Sequence, residues 1–303
     1  MRVLLTGVSG FIGDAIASHL VSEGHEVVGL HAKPNSWVAR KGLSVVLTDI
    51  ASTDAISRID KETGPCDAII HAAASLDMNL FAGDVTRVNC TGLQNILWLA
   101  TQWRCAKFIF LSSVPVIGIP KFMPITEAHP TQPLTAYHAS KLFGEYLVRL
   151  VEAHGVMGTS LRLTAPVGPK IPKDRLLSML VYRALNNLPL LISGVGSRKQ
   201  NYIDVRDIAR ASELCLQKDV SGVFNIASST CISNLELARR CVERCKSTST
   251  VIFSDRIDPE EGISWDVSIK KAKNKLGFIP QFDIDDAISA AVADIDRDKK
   301  NII

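Results

Sequence analysis

The 303-residue chain has little net charge and no long apolar segment. A formal net charge of +3 is too small to favour nucleic acid or an anionic membrane surface as a partner. No apolar run approaches the length of about 18 residues that a membrane-spanning helix needs, and the first residues lack the basic and apolar regions of a signal peptide. We therefore expect a cytoplasmic protein that binds neither nucleic acid nor membranes.

Cysteine is scarce as well, with seven residues scattered along the chain. An odd number of dispersed cysteines is typical of reduced thiols in a reducing compartment rather than of a disulfide framework. Cys241 and Cys245 are four residues apart on a predicted helix, but no further Cys or His cluster completes a metal site with them. We interpret both as small buried side chains and predict no metal.

The N-terminal segment carries the most specific pattern in the chain. Residues 2–5 form a short branched apolar run that predicts a buried strand, and residues 26–30 predict a second one. Between them lies the sequence Thr-Gly-x-x-Gly-x-x-Gly over residues 6–13, which opens a stretch with apolar residues at helical spacing. A glycine-rich turn between a strand and a helix, within a unit of about 30 residues, is the context of a dinucleotide-binding fingerprint.

Each glycine of this fingerprint has a mechanical role. Gly7 permits the tight turn, Gly10 lets the backbone approach a pyrophosphate, and Gly13 allows the helix to pack closely on the strand. The N–H groups at the start of the helix, where Phe11 and Ile12 lie, then face the phosphates with the positive end of the helix dipole behind them. We therefore predict that this loop binds a dinucleotide cofactor.

The residue that follows the second strand bears on the choice of cofactor. An acidic residue at this position would hydrogen-bond the adenosine ribose, and its charge would repel a 2′-phosphate. The chain has His31 there, with Lys33 and Arg40 following. An imidazole and an ammonium group tolerate or attract a phosphate, so we predict NADP in preference to NAD. The alternative is that these residues are solvated and that the site accepts either cofactor.

Strands and helical patterns alternate through the N-terminal half, and an apolar content of 47% is ample for a large core. Such alternation is typical of a parallel sheet with helices on both faces. We predict a Rossmann-type doubly wound α/β fold with a smaller C-terminal substrate-binding lobe. The dinucleotide-binding domain is expected at 1–165, with 202–228 returning to it, and the lobe at 166–201 and 229–303. The predicted elements are strands at 2–5, 26–30, 45–47, 68–74 and 108–111, and helices from 12, from 53 and at 85–103.

Residues at the strand ends are further candidates for cofactor contacts, because ligands of such sheets bind there. Asp49 follows the third strand, where its carboxylate is placed either to accept a hydrogen bond from the adenine amino group or to cap the next helix. Its neighbour Ile50 is expected to line the same pocket. The fourth strand ends in small residues that let the cofactor lie close, namely Ala72, Ala73 and Ala74.

A proline-rich loop leads to a second motif, Tyr137 and Lys141, which are four residues apart and hence on one face of a helix. A phenol near its ordinary pKa of about 10 exchanges protons poorly at neutral pH. A nearby ammonium group stabilises the phenolate and lowers that pKa, as general acid–base catalysis requires. The position of this pair after the fifth strand of a dinucleotide-binding fold makes a catalytic role a stronger prediction.

Together these motifs resemble those of the extended short-chain dehydrogenases/reductases, in particular the NAD(P)-dependent epimerase/dehydratase family that includes UDP-galactose 4-epimerase. The resemblance spans nearly the whole chain. It rests on the fingerprint at 6–13, Asp49, the strand end at 71–73, Asn89, Ser113, the Tyr137–Lys141 pair, the segments 161–169 and 202–207, and the C-terminal segments 265–268 and 276–280.

The resemblance implies a catalytic role for three residues. Tyr137 would exchange the proton at the substrate oxygen, Lys141 would hold the nicotinamide ribose and lower the pKa of the tyrosine, and Ser113 would hydrogen-bond the same oxygen. Ser113 is preferred to Ser112 because residues 113–118 match the family's Ser-x-x-Val-Tyr-Gly run.

The resemblance also implies contacts around these residues. Asn89 would contact the cofactor or serve helix packing, and Pro166 would lie near the nicotinamide amide. Ser75, after the fourth strand, is a candidate substrate contact. A homodimer joined through the helices that carry Asn89 and Tyr137 is the expected assembly.

Three departures from the family pattern concern the substrate side. Ile117 replaces the tyrosine of the Val-Tyr-Gly run, and Pro115 stands where the 4-epimerases have a threonine. Residues 200–201 are Gln-Asn instead of the Arg-Asp pair that helps to bind a pyrophosphate. Arg198 and Lys199 are candidate substitutes for that arginine, and plain solvation of both is the alternative.

The resemblance therefore implies NAD(P)-dependent, reversible hydride transfer at a keto or hydroxyl carbon of a small-molecule substrate, with a nucleotide-linked sugar favoured. A 4-ketoreductase is favoured over a 4-epimerase, because an epimerase retains its cofactor and the epimerase-type neighbours of Ser113 are missing. The alternatives are an epimerase with retained NAD, a reductase of a small hydroxy-ketone, and a non-catalytic NADP sensor.

Overall fold

The computed structural model describes residues 1–32, 41–81 and 83–300, apart from the side chains of the last three. Its strands are β1 (Arg2–Thr6), β2 (Glu26–His31), β3 (Leu43–Leu47), β4 (Ala68–His71), β5 (Lys107–Ser113), β6 (Met157–Leu163), β7 (Ala165–Val167), β8 (Leu190–Ser193), β9 (Lys199–Asp204), β10 (Gly222–Ile226), β11 (Cys231–Ser233) and β12 (Val251–Ser254). The helices are α1 (Phe11–Ser22), α2 (Ala55–Thr63), α3 (Leu93–Gln102), α4 (Ala136–Leu150), α5 (Leu176–Leu185), α6 (Val205–Gln217), α7 (Asn234–Arg244), α8 (Lys270–Leu276) and α9 (Ile284–Lys300). Over these described ranges, no helix is long and apolar enough to cross a membrane.

Seven strands form one parallel sheet in the order β10-β6-β5-β4-β1-β2-β3. The central strands are apolar on both faces, as Leu4, Leu5, Ile69 and Ile70 illustrate, because helices cover the sheet on both sides. The strand order reverses between β4 and β1, and such a switch point leaves a crevice at the carboxyl ends of the strands. This is the doubly wound α/β fold that the sequence predicts.

Two apolar cores cover the faces of this sheet. On one face, α1 contributes Ile16, α6 contributes Ile208 and α8 contributes Leu276. On the other face, α2 contributes Ile59 and α3 contributes Ile96. Full burial of such a side chain stabilises the fold by about 1.5–3 kcal/mol, so the two layers hold the carboxyl edge of the sheet in a fixed shape.

The chain beyond β6 builds smaller sheets. Strand β9 pairs in parallel with β7 and antiparallel with β11, while β8 and β12 form a separate parallel pair. Helices α5, α7 and α9 pack around a third core that includes Val181, Leu237 and Ile288. These elements are the counterpart of the smaller lobe that the sequence predicts.

Two segments lie elsewhere than predicted. Residues 202–204 do not return to the large sheet, since they lie in β9, although α6 and β10 after them do return. Residues 270–278, expected in the lobe, pack on the large sheet through Ala272, Leu276 and Phe278. In both cases the partner is distant along the chain, which local periodicity does not reveal. The limits of the two domains remain a prediction.

The helix predicted at 85–103 is present with a change of geometry. Residues Val85–Gly92 are π-helical and lead directly into α3. A π-helical turn is rare and often lies at a functional site. Asn89 is buried on this segment, and its side chain contacts the backbone of Ser75, which follows the carboxyl end of β4.

Candidate active site

The glycine loop closes tightly on the segment that follows β4. Gly7 has a φ of +71°, and a Cβ at this position would lie 2.8 Å from the backbone of Ala73. A Cβ on Gly13 would lie 2.1 Å from the carbonyl oxygen of Gly7, so α1 can pack here only without a side chain. A 2.9 Å hydrogen bond from Gly10 N to Gly7 O holds the loop itself. These contacts are what the turn and packing roles of the glycines require.

The start of α1 offers N–H groups at the carboxyl edge of the sheet. Because the N-cap residue is Gly10, it has no side chain to accept hydrogen bonds from Phe11, Ile12 or Gly13. The first N–H groups of a helix lack acceptors within the helix, and the helix dipole makes this end positive. The loop and the helix start therefore fit the diphosphate of a dinucleotide.

Gly13→Ala is expected to lower the free energy of unfolding by about 1–3 kcal/mol, as overpacking of a tight position does, and to weaken NADPH binding because α1 must move away from the loop. Gly83→Ala is the matched control, since a Cβ on Gly83 meets no described atom within 4 Å. Urea unfolding and fluorescence titration with NADPH measure the two effects. Equal stability and equal affinity in both variants would contradict the close approach of α1 to the loop.

Thr6 links the ends of β1 and β4 behind this loop. Its hydroxyl oxygen accepts a 3.1 Å hydrogen bond from Ala73 N and lies 3.1 Å from Nδ1 of His71. Burial lowers the pKa of His71 to about 3, so the imidazole is neutral and its Nδ1 can accept the hydroxyl proton. The half-buried Ala72 and Ala74 flank this anchor, and their small side chains leave room beside the glycine loop.

Strands β2 and β3 end side by side at the same edge. Thr48 N donates a 2.8 Å hydrogen bond to His31 O, which places His31 and Asp49 close to each other. The carboxylate of Asp49 accepts hydrogen bonds from Ala51 N at 3.0 Å and from Arg87 at 2.5 Å. Because α2 begins after these residues without a side-chain cap, the helix-cap alternative for Asp49 is wrong. Its carboxylate is engaged by Ala51 and Arg87, and its contact with an adenine stays a prediction.

The imidazole of His31 has unused hydrogen-bonding capacity. Its Nδ1 is buried and has no hydrogen-bond partner in the described part of the chain, and an unpaired buried polar atom is costly. Lys33 and Arg40, the other predicted phosphate contacts, lie outside the described residues. A ribose or phosphate oxygen beside His31 would satisfy the ring nitrogen.

Ile50, the neighbour of Asp49, is buried against Gly92, where a Cβ would lie 2.8 Å from Ile50 Cδ1.

Tyr137 and Lys141 lie one turn apart near the start of α4. Thr135 caps this helix, because its hydroxyl oxygen accepts a 3.1 Å hydrogen bond from His138 N. Nζ of Lys141 lies 5.7 Å from the centre of the Tyr137 ring. Ser113 is the last residue of β5, the strand next to β4 at the carboxyl edge. The three predicted catalytic residues therefore lie at one edge of the sheet.

The protonation of this pair differs from the expectation. Burial raises the pKa of Tyr137 to about 12, and the positive charge of Arg175 opposes that rise. Burial lowers the pKa of Lys141 to about 8, and its Nζ donates a 2.7 Å hydrogen bond to Leu111 O. The prediction of a lowered pKa for Tyr137 is wrong here, because the loss of water around the phenol outweighs the effect of nearby positive charge.

Asn89 fastens the π-helical segment to two neighbouring elements. Its Oδ1 accepts a 2.7 Å hydrogen bond from Ser75 N, and its Nδ2 donates to Ser75 O at 3.0 Å. The same Nδ2 donates to Ser140 Oγ on α4 at 2.9 Å. These bonds favour the packing interpretation of Asn89. Ser75 is held through its backbone, and its role as a substrate contact stays a prediction.

A buried ion pair outside the predicted site residues anchors α4 to the strands. Arg162 on β6 donates from Nε and Nη2 to the two oxygens of Glu145, both at 2.8 Å, and each side chain is only 5% exposed. Oγ of Ser112 donates a 2.5 Å hydrogen bond to the same carboxylate. Ser112 is thus engaged, which leaves Ser113 at the strand end. One signal was available, since Glu145 lies four residues after Lys141 on the same helix face.

The candidate substrate cation Arg198 is already paired with acids. Its guanidinium lies 2.7 Å from Glu260 and 3.7 Å from Asp258. Glu260 also accepts a 3.0 Å hydrogen bond from Trp265 Nε1, which fixes the carboxylate in place. Lys199 is exposed at the start of β9. Arg198 is therefore a poor substitute for a pyrophosphate-binding arginine, and the solvation alternative fits Lys199.

The turn after β5 explains one departure from the family pattern. Residues Val114–Ile117 form a 3₁₀ turn, and Ile117 is 1% exposed in an apolar cluster with Trp265. The isoleucine therefore serves packing at this position. Pro115, the second departure, is the half-buried second residue of the turn.

Pro166 lies in β7, which pairs with β9. Its predicted position near the nicotinamide amide stays a prediction.

The two cysteines of α7 and its C-cap are placed as packing residues. Cys241 is buried in the third core, and Cys245 packs against the same core. Among the residues that the structure describes, no group of three or more His, Cys, Asp and Glu side chains could hold a metal ion.

A family profile described as "NAD dependent epimerase/dehydratase family" matches residues 3–227. The chain is 27% identical to a putative UDP-glucose 4-epimerase of Methanocaldococcus jannaschii, over 96% of this chain and 97% of that protein. It is 28% identical to the UDP-glucose 4-epimerase of Streptococcus mutans, over 97% and 96% of the two chains. It is also 25% identical to a dTDP-glucose 4,6-dehydratase of Streptomyces niveus, over 96% and 92%.

Solved structures share the fold at full length. The UDP-glucose 4-epimerase of Thermotoga maritima, solved with UDP-glucose, matches with a TM-score of 0.89 at 22% identity and covers 99% of this chain and 100% of that one. The UDP-glucose 4-epimerase of Thermus thermophilus, solved with NAD, matches with a TM-score of 0.85 at 24% identity and covers 98% and 99%.

Proposed function

The chain belongs to the NAD dependent epimerase/dehydratase family and is an enzyme of the extended short-chain dehydrogenase/reductase type. From this premise we propose that it transfers hydride reversibly at C4 of a nucleotide-linked sugar. The observation that carries the proposal is the convergence of Ser113, Tyr137 and Lys141 at the carboxyl edge, beside the uncapped start of α1. The substrate class is supported by relatives named UDP-glucose 4-epimerase that match 96% and 97% of the chain.

The glycine loop and the strand-end residues would hold a nicotinamide dinucleotide, which would supply the acceptor and donor of the hydride when bound. Tyr137 exchanges the proton at the C4 oxygen. Because its pKa is raised, the phenol is protonated at neutral pH and suited to donate a proton to a keto oxygen. Ser113 donates a hydrogen bond to the same oxygen and keeps it within reach of Tyr137.

The opposite direction requires the phenolate of Tyr137. Positive charge close to the ring favours that form. Among the described residues, Lys141, with Nζ at 5.7 Å from the ring centre, and Arg175 supply such charge. Lys141 is also placed to hold the hydroxyls of the nicotinamide ribose, one turn from Tyr137.

Epimerisation at C4 is the outcome that we favour, since several relatives carry that name. The lack of a tyrosine at position 117 is only weak evidence against epimerisation, because Ile117 packs in a core cluster. The 4-ketoreductase stays the second candidate. The one observation that favours it is that β2 ends at His31 and not at an acid, since this end favours NADP as the cofactor.

Incubation of the purified protein with UDP-glucose separates these outcomes. With the oxidised cofactor present, we expect UDP-galactose to form, as chromatography of the nucleotide sugars would show, without net reduction of the cofactor. Stoichiometric oxidation of NADPH in the presence of a UDP-4-keto sugar would replace the epimerase with the ketoreductase. Absence of both reactions in protein that holds its cofactor would contradict the proposal.

NADP in preference to NAD is proposed as the cofactor. The support is the imidazole of His31, whose Nδ1 has no partner among the described residues, in place of a carboxylate that would repel a 2′-phosphate. Equilibrium titration with NADPH and NADH, side by side, tests it. Tighter binding of NADPH is expected, and tightly retained NAD in the purified protein would contradict it. The cytoplasmic location predicted from the sequence stays a proposal.

A homodimer is proposed through α3 and α4. Both helices expose large apolar side chains, namely Trp98, Phe143, Tyr146 and Leu150, and contiguous exposed apolar surface marks interaction sites. Analytical ultracentrifugation is expected to give twice the chain mass of 33.0 kDa. A monomer at assay concentrations would contradict the proposal.

A further inference from the structure

Hydrogen bonds hold the backbone of Tyr137 at the start of α4. The hydroxyl oxygen of Thr135 caps the helix, since it accepts a 3.1 Å hydrogen bond from His138 N. Oγ of Ser140 donates a 2.7 Å hydrogen bond to Tyr137 O and accepts one of 2.9 Å from Asn89 Nδ2. The start of α4 is therefore tied to the π-helical segment, and the conformational freedom left to Tyr137 lies in its side chain.

The phenol of Tyr137 is oriented by contacts to its ring. Among the described residues, its hydroxyl has no hydrogen-bond partner. Nζ of Lys141 lies 5.7 Å from the centre of the ring, and the ring centre of His138 lies 5.1 Å from it. The direction in which the hydroxyl points therefore depends on the groups that pack against the ring.

His138 meets the Tyr137 ring at a favourable angle. The planes of the two rings are 62° apart, close to the edge-to-face arrangement that aromatic pairs prefer. Adjacent side chains on a helix do not usually face each other. The helix by itself therefore does not impose this contact, and a further interaction must hold the imidazole beside the phenol.

Thr135 supplies that interaction. Its Oγ1 lies 2.9 Å from Nδ1 of His138 and also accepts the hydrogen bond from the backbone N–H of the same residue. One hydroxyl thus holds both the backbone and the ring of His138. Burial lowers the pKa of His138, so the ring is neutral at pH 7 and packs as an uncharged aromatic group.

We infer that His138 is a positioning residue, which holds the phenol of Tyr137 in the orientation from which it exchanges a proton with the substrate. The inference rests on the proposed function, since it concerns the acid–base residue of that site. A displacement of about 1 Å at a reacting group can slow a reaction by about 100-fold, so restriction of the ring matters for the rate. The Tyr-x-x-x-Lys pattern leaves position 138 unspecified, so this role depends on the histidine of this chain.

Three variants separate the ring contact from the hydrogen bond to Thr135. His138→Ala removes both. His138→Asn removes the ring but keeps a side chain that can hydrogen-bond to Thr135, and His138→Phe keeps a ring without a nitrogen. Conversion of UDP-glucose by cofactor-saturated protein gives kcat and KM for each variant, and titration with NADPH gives Kd.

We expect His138→Ala and His138→Asn to lower kcat by about two- to tenfold, the size of an aromatic contact. KM and Kd should stay at the wild-type values, because the ring acts on Tyr137 and not on the ligands. His138→Phe should recover at least part of the lost rate. His154→Ala is the matched control and should leave kcat unchanged, since His154 is exposed in the 3₁₀ turn that follows α4.

A double variant tests whether the effect of His138 passes through the phenol. In Tyr137→Phe the hydroxyl whose position matters is already gone, so addition of His138→Ala should change the remaining rate very little. An equal fractional loss in the Tyr137→Phe protein and in the wild-type protein would overturn the inference, because such a loss does not depend on the hydroxyl.

The other outcomes separate the inference from the function on which it rests. A wild-type kcat in His138→Ala, or a wild-type kcat in His138→Asn beside a slow His138→Phe, would overturn the inference and leave the proposed reaction intact. Wild-type protein that binds its cofactor but converts no nucleotide-linked sugar would overturn the proposed function and the inference with it. Because His138 is only half-buried, its variants should fold, and urea unfolding is the check.

Discussion

Replacement of Tyr137 with phenylalanine is expected to lower kcat by about 10²- to 10⁴-fold, the contribution typical of a positioned general acid or base. The substitution removes one hydroxyl and keeps the ring that packs near Lys141. Cofactor binding should therefore be nearly unchanged, and the loss should appear in kcat. The measurement is the rate of UDP-glucose conversion, together with the Kd for NADPH.

Tyr146→Phe is the matched control for this variant. Tyr146 lies on the same helix, and more than half of its side chain is exposed, at 56%. The same chemical change at that position should leave kcat close to the wild-type value. If Tyr137→Phe kept a wild-type rate as well, the phenol would have no part in proton transfer and the proposed mechanism would be wrong.

The buried Glu145–Arg162 pair gives the second large effect, on stability. Either Glu145→Leu or Arg162→Leu alone leaves an unpaired charge among side chains that are only 5% exposed. Loss of one partner of such a pair costs about 3–5 kcal/mol. Each single variant should therefore unfold at markedly lower urea concentration, or fail to accumulate as folded protein.

The double variant Glu145→Leu/Arg162→Leu keeps this test informative. Replacement of a whole buried ion pair by apolar residues is often close to neutral, so the double variant should recover most of the stability lost by either single one. The exposed Arg58–Glu62 pair on α2 is the control, since an exposed pair contributes at most about 1 kcal/mol. A double variant that is less stable than both single variants would contradict the account of the pair.

The Glu145–Arg162 pair also affects catalysis, because it fixes the positions of the elements that carry the catalytic residues. Glu145 shares α4 with Tyr137 and Lys141, and its carboxylate holds Ser112, the residue before Ser113. The bidentate contact to Arg162 therefore fixes the helix that carries the acid–base pair relative to the strand that carries the serine. We therefore expect the double variant to fold but to have a lower turnover rate than the wild-type protein.

Local patterns were sufficient for the large sheet. The glycine fingerprint at 6–13 identified the first strand, turn and helix, because strand and helix periodicity and turn chemistry are encoded within one short segment. The alternation of strands and helices then implied a parallel doubly wound sheet. Tyr137 and Lys141 could be placed on one helix face for the same reason, since their spacing is a local property.

Features that depend on distant partners could not be predicted. Strand β9 joins β7 and β11 instead of the large sheet, and nothing local to residues 199–204 selects that partner. The neutralisation of Arg198 requires Asp258 and Glu260, about sixty residues away in the chain. The raised pKa of Tyr137 follows from burial, which only the packed structure defines.

The central claim is direct hydride transfer at C4, and UDP-glucose deuterated at C4 tests it most directly. Because a hydride returned by a nicotinamide does not exchange with water, we expect UDP-galactose that retains the deuterium at C4, together with a slower rate than for the unlabelled sugar. Product in which solvent hydrogen has replaced the deuterium at C4 would contradict the account, since that result requires proton removal from the carbon.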